Sequence, residues 1–345
     1  VDTSKPTVLD LFAGVGGFSW GFHQSFEVIG AIEREPAHAG TYKVNFPSTQ
    51  MICASVCQVT GSWIRNNIGS PTIVIGGPPC QSFSLQGRRN KNDLRTQLLH
   101  EFARLVLELL PPYFIMENVK GLVLGDMWEI FEQLCDRLSL YTLSHQVLNA
   151  ADYGVPQDRE RVFLFGALPG YPLPNFPKPQ TQKVTVAEAI LDLPDVDEFE
   201  ELFEVDHLPY SCMKESASAY AQSLRRELDF ITGVGRTRHS NEVISRFMAT
   251  PIGHKEPVSR FVKLNPNSIA PTLMAGGSDM TRTAVRPIDP YRNAVITVRQ
   301  AARLSSFPDD FRFHQAKCIG HKQVGNAVPP LISQAIATEF ASIIN

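Results

Sequence analysis

The first half of the chain alternates short apolar runs with amphipathic segments, and that alternation admits few folds. Runs at 7–11 (TVLDL), 27–32 (EVIGAI), 72–75 (TIVI), 112–116 (PYFIM) and 161–165 (RVFLF) have the length and composition of buried strands. Between them Leu98, Leu99, Phe102, Leu105, Val106 and Leu109 recur at helical spacing, as do Ile130, Phe131, Leu134 and Leu138. Strands this apolar need cover on both faces, and helices with one apolar stripe each supply it. The expected fold class is therefore α/β, a mostly parallel twisted sheet with crossover helices.

The pattern stops at a run of prolines, Pro169, Pro172, Pro174, Pro177 and Pro179, which breaks helix and strand alike and marks a boundary. A short helix is predicted near 184–191, followed by an acidic stretch from Asp192 to Asp206 and irregular sequence to about 290. Helical character returns at 297–304 and at 329–342, where Leu331, Ile332, Ala335, Ile336 and Phe340 share a face.

At 345 residues with 43% hydrophobic and 19% charged side chains, the chain can bury a real core. Asp2 and Lys5 precede the first apolar run and no apolar stretch reaches 18 residues, so neither a signal peptide nor a membrane span is expected. The expected setting is intracellular and cytoplasmic. Six cysteines without zinc-type spacing imply neither a disulfide framework nor a metal site. The net charge of −3 hides an asymmetry: residues 1–213 hold 15 Lys+Arg against 25 Asp+Glu, residues 214–345 hold 17 against 10. Scattered arginines make the last third basic, as phosphate or guanine contacts would require, although intrachain salt bridges explain the same charge equally well.

The strand ends carry the chemistry. The first strand runs into Phe12-Ala13-Gly14-Val15-Gly16-Gly17, and the next closes on Glu33. Glycines let a backbone approach a ligand and an acid there can bond two ribose hydroxyls, so this is the layout of a site for NAD, FAD or S-adenosylmethionine. A strand-to-helix turn without a ligand reads the same way. Farther on, Gly76-Gly77-Pro78-Pro79-Cys80-Gln81 holds a cysteine on a stiff turn after a buried strand, which suits a nucleophile presented at one angle. A lone buried cysteine is more often inert, but Glu117-Asn118-Val119 ends another strand and brings a carboxyl group to the same side. Gln157-Asp158-Arg159-Glu160-Arg161 then enters the 161–165 strand with two guanidiniums spaced for one face.

Together with Gly325-Asn326-Ala327-Val328-Pro329, these blocks in this order resemble the DNA cytosine-5 methyltransferase family, of a compact bacterial or phage type. The resemblance covers residues 7–168 and 296–340. It implies a Rossmann-like S-adenosylmethionine-dependent methyltransferase domain with a smaller, irregular target-recognition domain inserted before the C-terminal segment. The implied divisions are 1–180 for the first part of the catalytic domain, 181–292 for target recognition and 293–345 for the returning segment. The last helix should pack beside the first.

The resemblance also implies roles. Cys80 is the nucleophile, Glu117 and Arg161 hold the cytosine, and Arg159 and Gln157 support them. Phe12, Gly14, Gly16, Gly17, Glu33, Arg34, Ser55, Pro78, Leu98, Asn326 and Ala327 surround S-adenosylmethionine. Ser55 replaces the aspartate usual in the family and Arg34 an apolar or aromatic residue, which implies weaker adenine contacts. For DNA, Gln81, Ser84, Gln86, Arg88 and Arg95 fall in or beside the loop after Cys80, while Arg236, Arg238, Thr272, Leu273 and Arg282 fall in the middle region, with His239 and Arg286 as further readers. The implied partner is double-stranded DNA, met by a monomer outside any membrane; a cognate restriction endonuclease is not inferable. A tRNA cytosine-5 methyltransferase is the alternative within the family. A dinucleotide-dependent oxidoreductase would leave Cys80, Glu117 and the arginines without work, and a silent DNA-binding module would leave the intact catalytic set unexplained.

Overall fold

The computed structural model describes residues 5–79, 94–275 and 286–344, and of residues 94–96 the backbone alone. Its chain divides into two compact units, one made of Val1–Asn149, Glu160–Pro179 and Ile332–Asn345, the other of Ala150–Arg159 and Gln180–Leu331.

The first unit is built on strands β1 (Thr7–Leu11), β2 (Glu27–Glu33), β3 (Gln50–Cys53), β4 (Ile73–Gly76), β5 (Tyr113–Val119), β6 (Thr142–Asn149) and β7 (Glu160–Ala167). They form one sheet in the order β3-β2-β1-β4-β5-β7-β6. All five apolar runs of the sequence become strands. β3 and β6 escape the sequence reading because they are edge strands with exposed or half-buried residues along most of their length. Helices α1 (Gly17–Phe22), α2 (Pro36–Asn45), α3 (Gly61–Asn67), α4 (Leu94–Leu109) and α5 (Trp128–Arg137) complete the layers. Leu99, Phe102, Leu105 and Val106 of α4 and Phe131 and Leu134 of α5 share a core with Leu9, Val74, Phe114 and Met116 of the sheet.

The sheet is mixed. β1 to β5 pair in parallel, whereas β7 is antiparallel to both β5 and β6. A parallel return would need a crossover of a dozen or more residues, and the connection Ala150–Arg159 is shorter. The reversal sets the start of β7 beside the end of β5, with Arg161 directly opposite Val119.

The second unit has little regular structure. β8 (His207–Pro209) and β9 (Phe230–Thr232) form an antiparallel pair, accompanied by α6 (Val186–Ile190), α7 (Ala219–Leu224), α8 (Asn241–Ala249), α9 (Val298–Arg303) and α10 (Lys317–Asn326). Buried arginines tie the irregular segments together. Arg303 bonds Asp309 at 2.6 Å and Asp192 at 3.2 Å, and Arg299 donates to the carbonyls of Thr232, Pro308 and Phe311.

α11 (Pro330–Ile344) then returns the chain to the first unit. Where the sequence reading begins the returning segment at 293, the structure begins it at Ile332. Residues 288–309 are held in the second unit by its backbone: Ile288 donates to Val262, Arg299 to Gly233 and Asp309 to Leu224. From Ile332 onward the helix lies against α1, where the Ser333 hydroxyl donates to the Phe18 carbonyl at 2.6 Å. Gly21 permits this approach, since a Cβ on it would stand 2.3 Å from the Gln334 nitrogen. The stretch Lys317–Ile344 is long and apolar enough for a membrane span by composition, but it is two helices, and Val324, Ile332, Ile336 and Phe340 are buried in the fold.

Candidate active site

The ends of β5 and β7 place a carboxylate and a guanidinium together. Glu117 faces Phe163 across the pair and Arg161 faces Val119, so the two side chains are diagonal neighbours on one face of the sheet, within reach of long side chains. Arg161 Nε stands 3.1 Å from Glu117 Oε1, both side chains mostly buried. Arg161 Nη1 also donates to the Glu160 carbonyl at 2.8 Å, which fixes the guanidinium plane. The loop after β4 closes against this pair: a Cβ on Gly77 would lie 3.1 Å from Glu117 Oε2, and Asn118 Nδ2 donates to the Pro78 carbonyl at 3.0 Å. Pro78 is buried, and Cys80 follows two residues later. Cys80, Gln81, Ser84, Gln86, Arg88 and Arg282, with the side chain of Arg95, lie outside the described residues.

The glycine loop is shaped by left-handed backbone at Phe12, Gly14 and Gly16, with φ of 60°, 57° and 96°. Gly14 donates its amide to Glu33 Oε2 at 3.0 Å, and Glu35 donates to Glu33 Oε1 at 2.7 Å. Each oxygen of Glu33 thus takes one amide and retains a lone pair for another donor. A Cβ added to Gly14 would meet nothing within 4 Å, so the loop leaves a gap on that side. At Gly16 the reason for glycine is different, since a Cβ would run into the rings of Phe46 and Tyr42. Gly17 begins α1, Phe12 and Leu98 pack at the edge of the core, and Arg34 is exposed. An open glycine turn beside a carboxylate with unused lone pairs fits the ribose of an adenosine cofactor. Ser55 is engaged locally, capping a short 3₁₀ turn: it accepts from Cys57 N, while Gln58 accepts from Ser55 N.

Beneath that loop lies a feature the sequence reading passed over. Asp10, the last residue but one of β1, is fully buried and accepts from the Ser19 hydroxyl at 2.6 Å, and Ser19 lies 2.8 Å from the Tyr42 hydroxyl. Burial pushes the Asp10 carboxyl up, against the Ser19 bond and with help from the Glu33 charge, to about 7. An aspartate next to the glycine loop was visible in the sequence, but its complete burial was not.

In the second unit, motif residues far apart in sequence meet. The 156–159 segment runs alongside 270–273: Asp158 N donates to the Ala270 carbonyl, Leu273 N to Gln157 Oε1 at 3.1 Å, and Thr272 Oγ1 to the Asp158 carbonyl at 2.5 Å. Gln157 is fully buried and its amide donates to the Leu304 carbonyl and Ser305 Oγ. Arg159, 3% exposed, reaches the Leu273 carbonyl at 3.3 Å. β7 starts at Glu160, so Arg159 precedes the strand and does not share a strand face with Arg161 as the two-residue spacing suggested. Asn326 ends α10 and Ala327 caps it.

The basic residues are mostly committed to partners. Arg236 pairs with Asp197 at 3.0 Å and Arg238 with Glu204 at 2.8 Å, and their guanidiniums sit 4.2 and 4.3 Å from the centre of the Phe203 ring. The His239 ring accepts from Val295 N at 3.3 Å.

Comparison with known proteins extends this geometry. The model of the C-5 cytosine-specific DNA methylase family matches residues 6–342. The type II methyltransferase M.XorII of Xanthomonas oryzae pv. oryzae is 44% identical over 98% of this chain and 85% of its own. M1.HphI of Haemophilus parahaemolyticus is 34% identical over 96% and 85%. The solved structure of a candidate DNA modification methyltransferase from an E. coli prophage superposes with a TM-score of 0.85 at 30% identity, covering 99% of both chains.

Proposed function

The chain belongs to the C-5 cytosine-specific DNA methylase family, and from that premise we propose how its residues divide the work. It is a DNA cytosine-5 methyltransferase of the type II modification class that uses S-adenosylmethionine, which sets aside the tRNA and dinucleotide alternatives. Carbon 5 of cytosine is a weak nucleophile. The Cys80 thiolate adds to carbon 6, forming an Sγ–C6 bond and moving an electron pair of the ring toward carbon 5. Glu117 hydrogen-bonds ring nitrogen 3 and the exocyclic amine, and Arg161 binds the carbonyl oxygen while holding the Glu117 carboxylate in place. S-adenosylmethionine, when bound, supplies an electrophilic methyl group for carbon 5. The carbon-5 proton then leaves and the Sγ–C6 bond breaks, restoring the thiolate.

Glu33 and the Phe12–Gly17 loop hold the cofactor's ribose and methionine part, with Pro78 and Leu98 as further contacts. Arg34 lies at the adenine side, and the engagement of Ser55 in its own turn accords with a weakened adenine contact. Gln157 and Arg159, buried and bonded to backbone, are positioning residues. The second unit serves target recognition on duplex DNA, the cytosine rotating out of the stack at a cost of about a few kcal/mol. The enzyme acts as a monomer in the cytoplasm of a bacterium, from a bacterial or phage gene.

The observation that carries this reading is the Glu117–Arg161 pair at 3.1 Å, closed in by the Gly77–Pro78 turn two residues before Cys80. Its test is bisulfite sequencing of long mixed-sequence DNA after incubation with the protein and S-adenosylmethionine. Protection of cytosines at one recurring motif is expected, lost with Cys80→Ala and slowed about a hundredfold with Arg161→Ala. Protection that survives Cys80→Ala would remove the central claim.

A further inference from the structure

Arg104 of α4 reaches the chain that follows β3. Its Nη2 donates to the carbonyls of Val56 and Val59 at 3.0 and 3.1 Å and to Glu101 Oε2 at 2.8 Å. Nε also donates to Glu101, at 2.9 Å, and Nη1 donates to Glu108 Oε1 at 2.9 Å. Glu108 extends the connection: its other oxygen accepts from the Gly61 amide at 2.6 Å, and its carbonyl accepts from Arg65 of α3 at 2.5 Å. Glu101, Arg104 and Glu108 stand three and four residues apart, on one face of α4.

The segment so held has little of its own to fix it. Val56–Gln58 is a single 3₁₀ turn, a form with poor hydrogen-bond geometry, and the Val59 amide meets the Val56 carbonyl only at 3.4 Å. Val56 and Val59 share a core cluster with Leu99, Phe102 and Ala103 of α4, which sets how deep the turn lies. Apolar contact has no direction, so it leaves the carbonyls free to rotate. A guanidinium supplies the direction, because its donors form a rigid planar fork. The Arg104 side chain is mostly buried, so its bonds to the turn are shielded from water.

The turn follows Ser55, the position assigned to the adenine side of the cofactor. Where an aspartate is usual, this chain has a serine whose hydroxyl is taken up by Cys57 N. With no carboxylate reaching out from that position, the adenine side depends on backbone and shape. Leu98, another proposed contact, stands on α4 ahead of Arg104, so one helix carries one wall of the site and holds the other. We propose that Arg104, braced by Glu101 and Glu108, is a positioning residue for S-adenosylmethionine, locking the 56–59 turn to α4 so that the adenine side has its shape before the cofactor arrives. This rests on the assignment of the cofactor site given above. A wall organised in advance spares the ligand the cost of ordering it.

The test uses two full-length variants: Arg104→Gln, which removes charge and fork, and Arg104→Lys, which keeps the charge and the apolar stem but not the fork. Each is melted without ligand, titrated with S-adenosylhomocysteine and with adenosine below its melting temperature, and assayed for steady-state methylation of duplex DNA. Arg104→Gln should weaken both ligands about tenfold and raise KM for S-adenosylmethionine by the same factor, while kcat at saturating cofactor and KM for DNA change by less than about twofold. Arg104→Lys should lose about threefold while melting like the wild type, and it decides the matter if Arg104→Gln does not fold. Ligand affinities and KM unchanged in the folded variants, even with lowered melting, would make the clamp structural only and overturn the proposal, leaving the methyltransferase standing. A fall in kcat alone, or a loss seen with S-adenosylhomocysteine but not with adenosine, would overturn it as well. A wild type that neither bound S-adenosylhomocysteine nor methylated duplex DNA would overturn the cofactor site and the clamp together.

Discussion

Asp10 sits in an environment that opposes its ordinary ionisation. Burial, opposed by the Ser19 bond and reinforced by Glu33, raises its carboxyl from 3.8 to about 7 in the folded protein. Between those values the folded state holds a proton that the unfolded chain has lost, so stability falls as pH rises from about 4 to 7 and levels off above. Asp10→Asn keeps an acceptor for Ser19 and carries no charge. Its stabilising effect should be near zero at pH 4 and grow to the order of 1–3 kcal/mol at pH 8, as chemical denaturation across that range will measure. A gain that does not change with pH would mean the carboxyl is not protonated in the fold. Sequence shows the aspartate but not how completely the fold encloses it. The same limit applied to Arg159 and Arg161, whose types were legible while their different surroundings depended on where β7 begins.

Among the elements, the contact of α1 with α11 is the tightest test of the fold. Gly21→Ala would drive a methyl group toward the backbone of Ser333 and Gln334, which cannot yield as a flexible side chain could. The expected loss is about 1–3 kcal/mol, read as a lowered melting temperature. Cofactor affinity, measured by titration below that temperature, should change little, since the Gly14 loop lies at the other end of α1. The central strands were legible because both faces are buried and their apolar runs are unbroken. The edge strands β3 and β6 were not, because exposure on one side dilutes the same signal. The antiparallel turn of β7 follows from the length of the connection Ala150–Arg159, a constraint that appears only once β6 is recognised.

For the molecule as a whole, the second unit is spliced into the first, and its last crossing comes later than the sequence motifs imply. α9 and α10 carry family motifs but belong by their backbone bonds to the second unit. A motif marks what a segment contacts in a family, not which core it completes. A chain ended after Pro329 keeps every catalytic candidate and both sheets, yet lacks α11. It should be recovered mainly in the insoluble fraction, and an added 330–345 peptide should restore some soluble protein. Normal solubility and melting of the shortened chain would show that α11 is dispensable.

The position of α11 in the chain has a consequence for synthesis. Phe340 covers Tyr113 and Phe165 at ring separations of 5.7 and 5.1 Å, and these rings leave the ribosome long before their cover does. Throughout translation of the second unit, the sheet waits with an aromatic face open to water and to chaperones. The aromatic face of the sheet is therefore completed only after α11 has been made, so the order of synthesis leaves the covering of the first unit's core to the end.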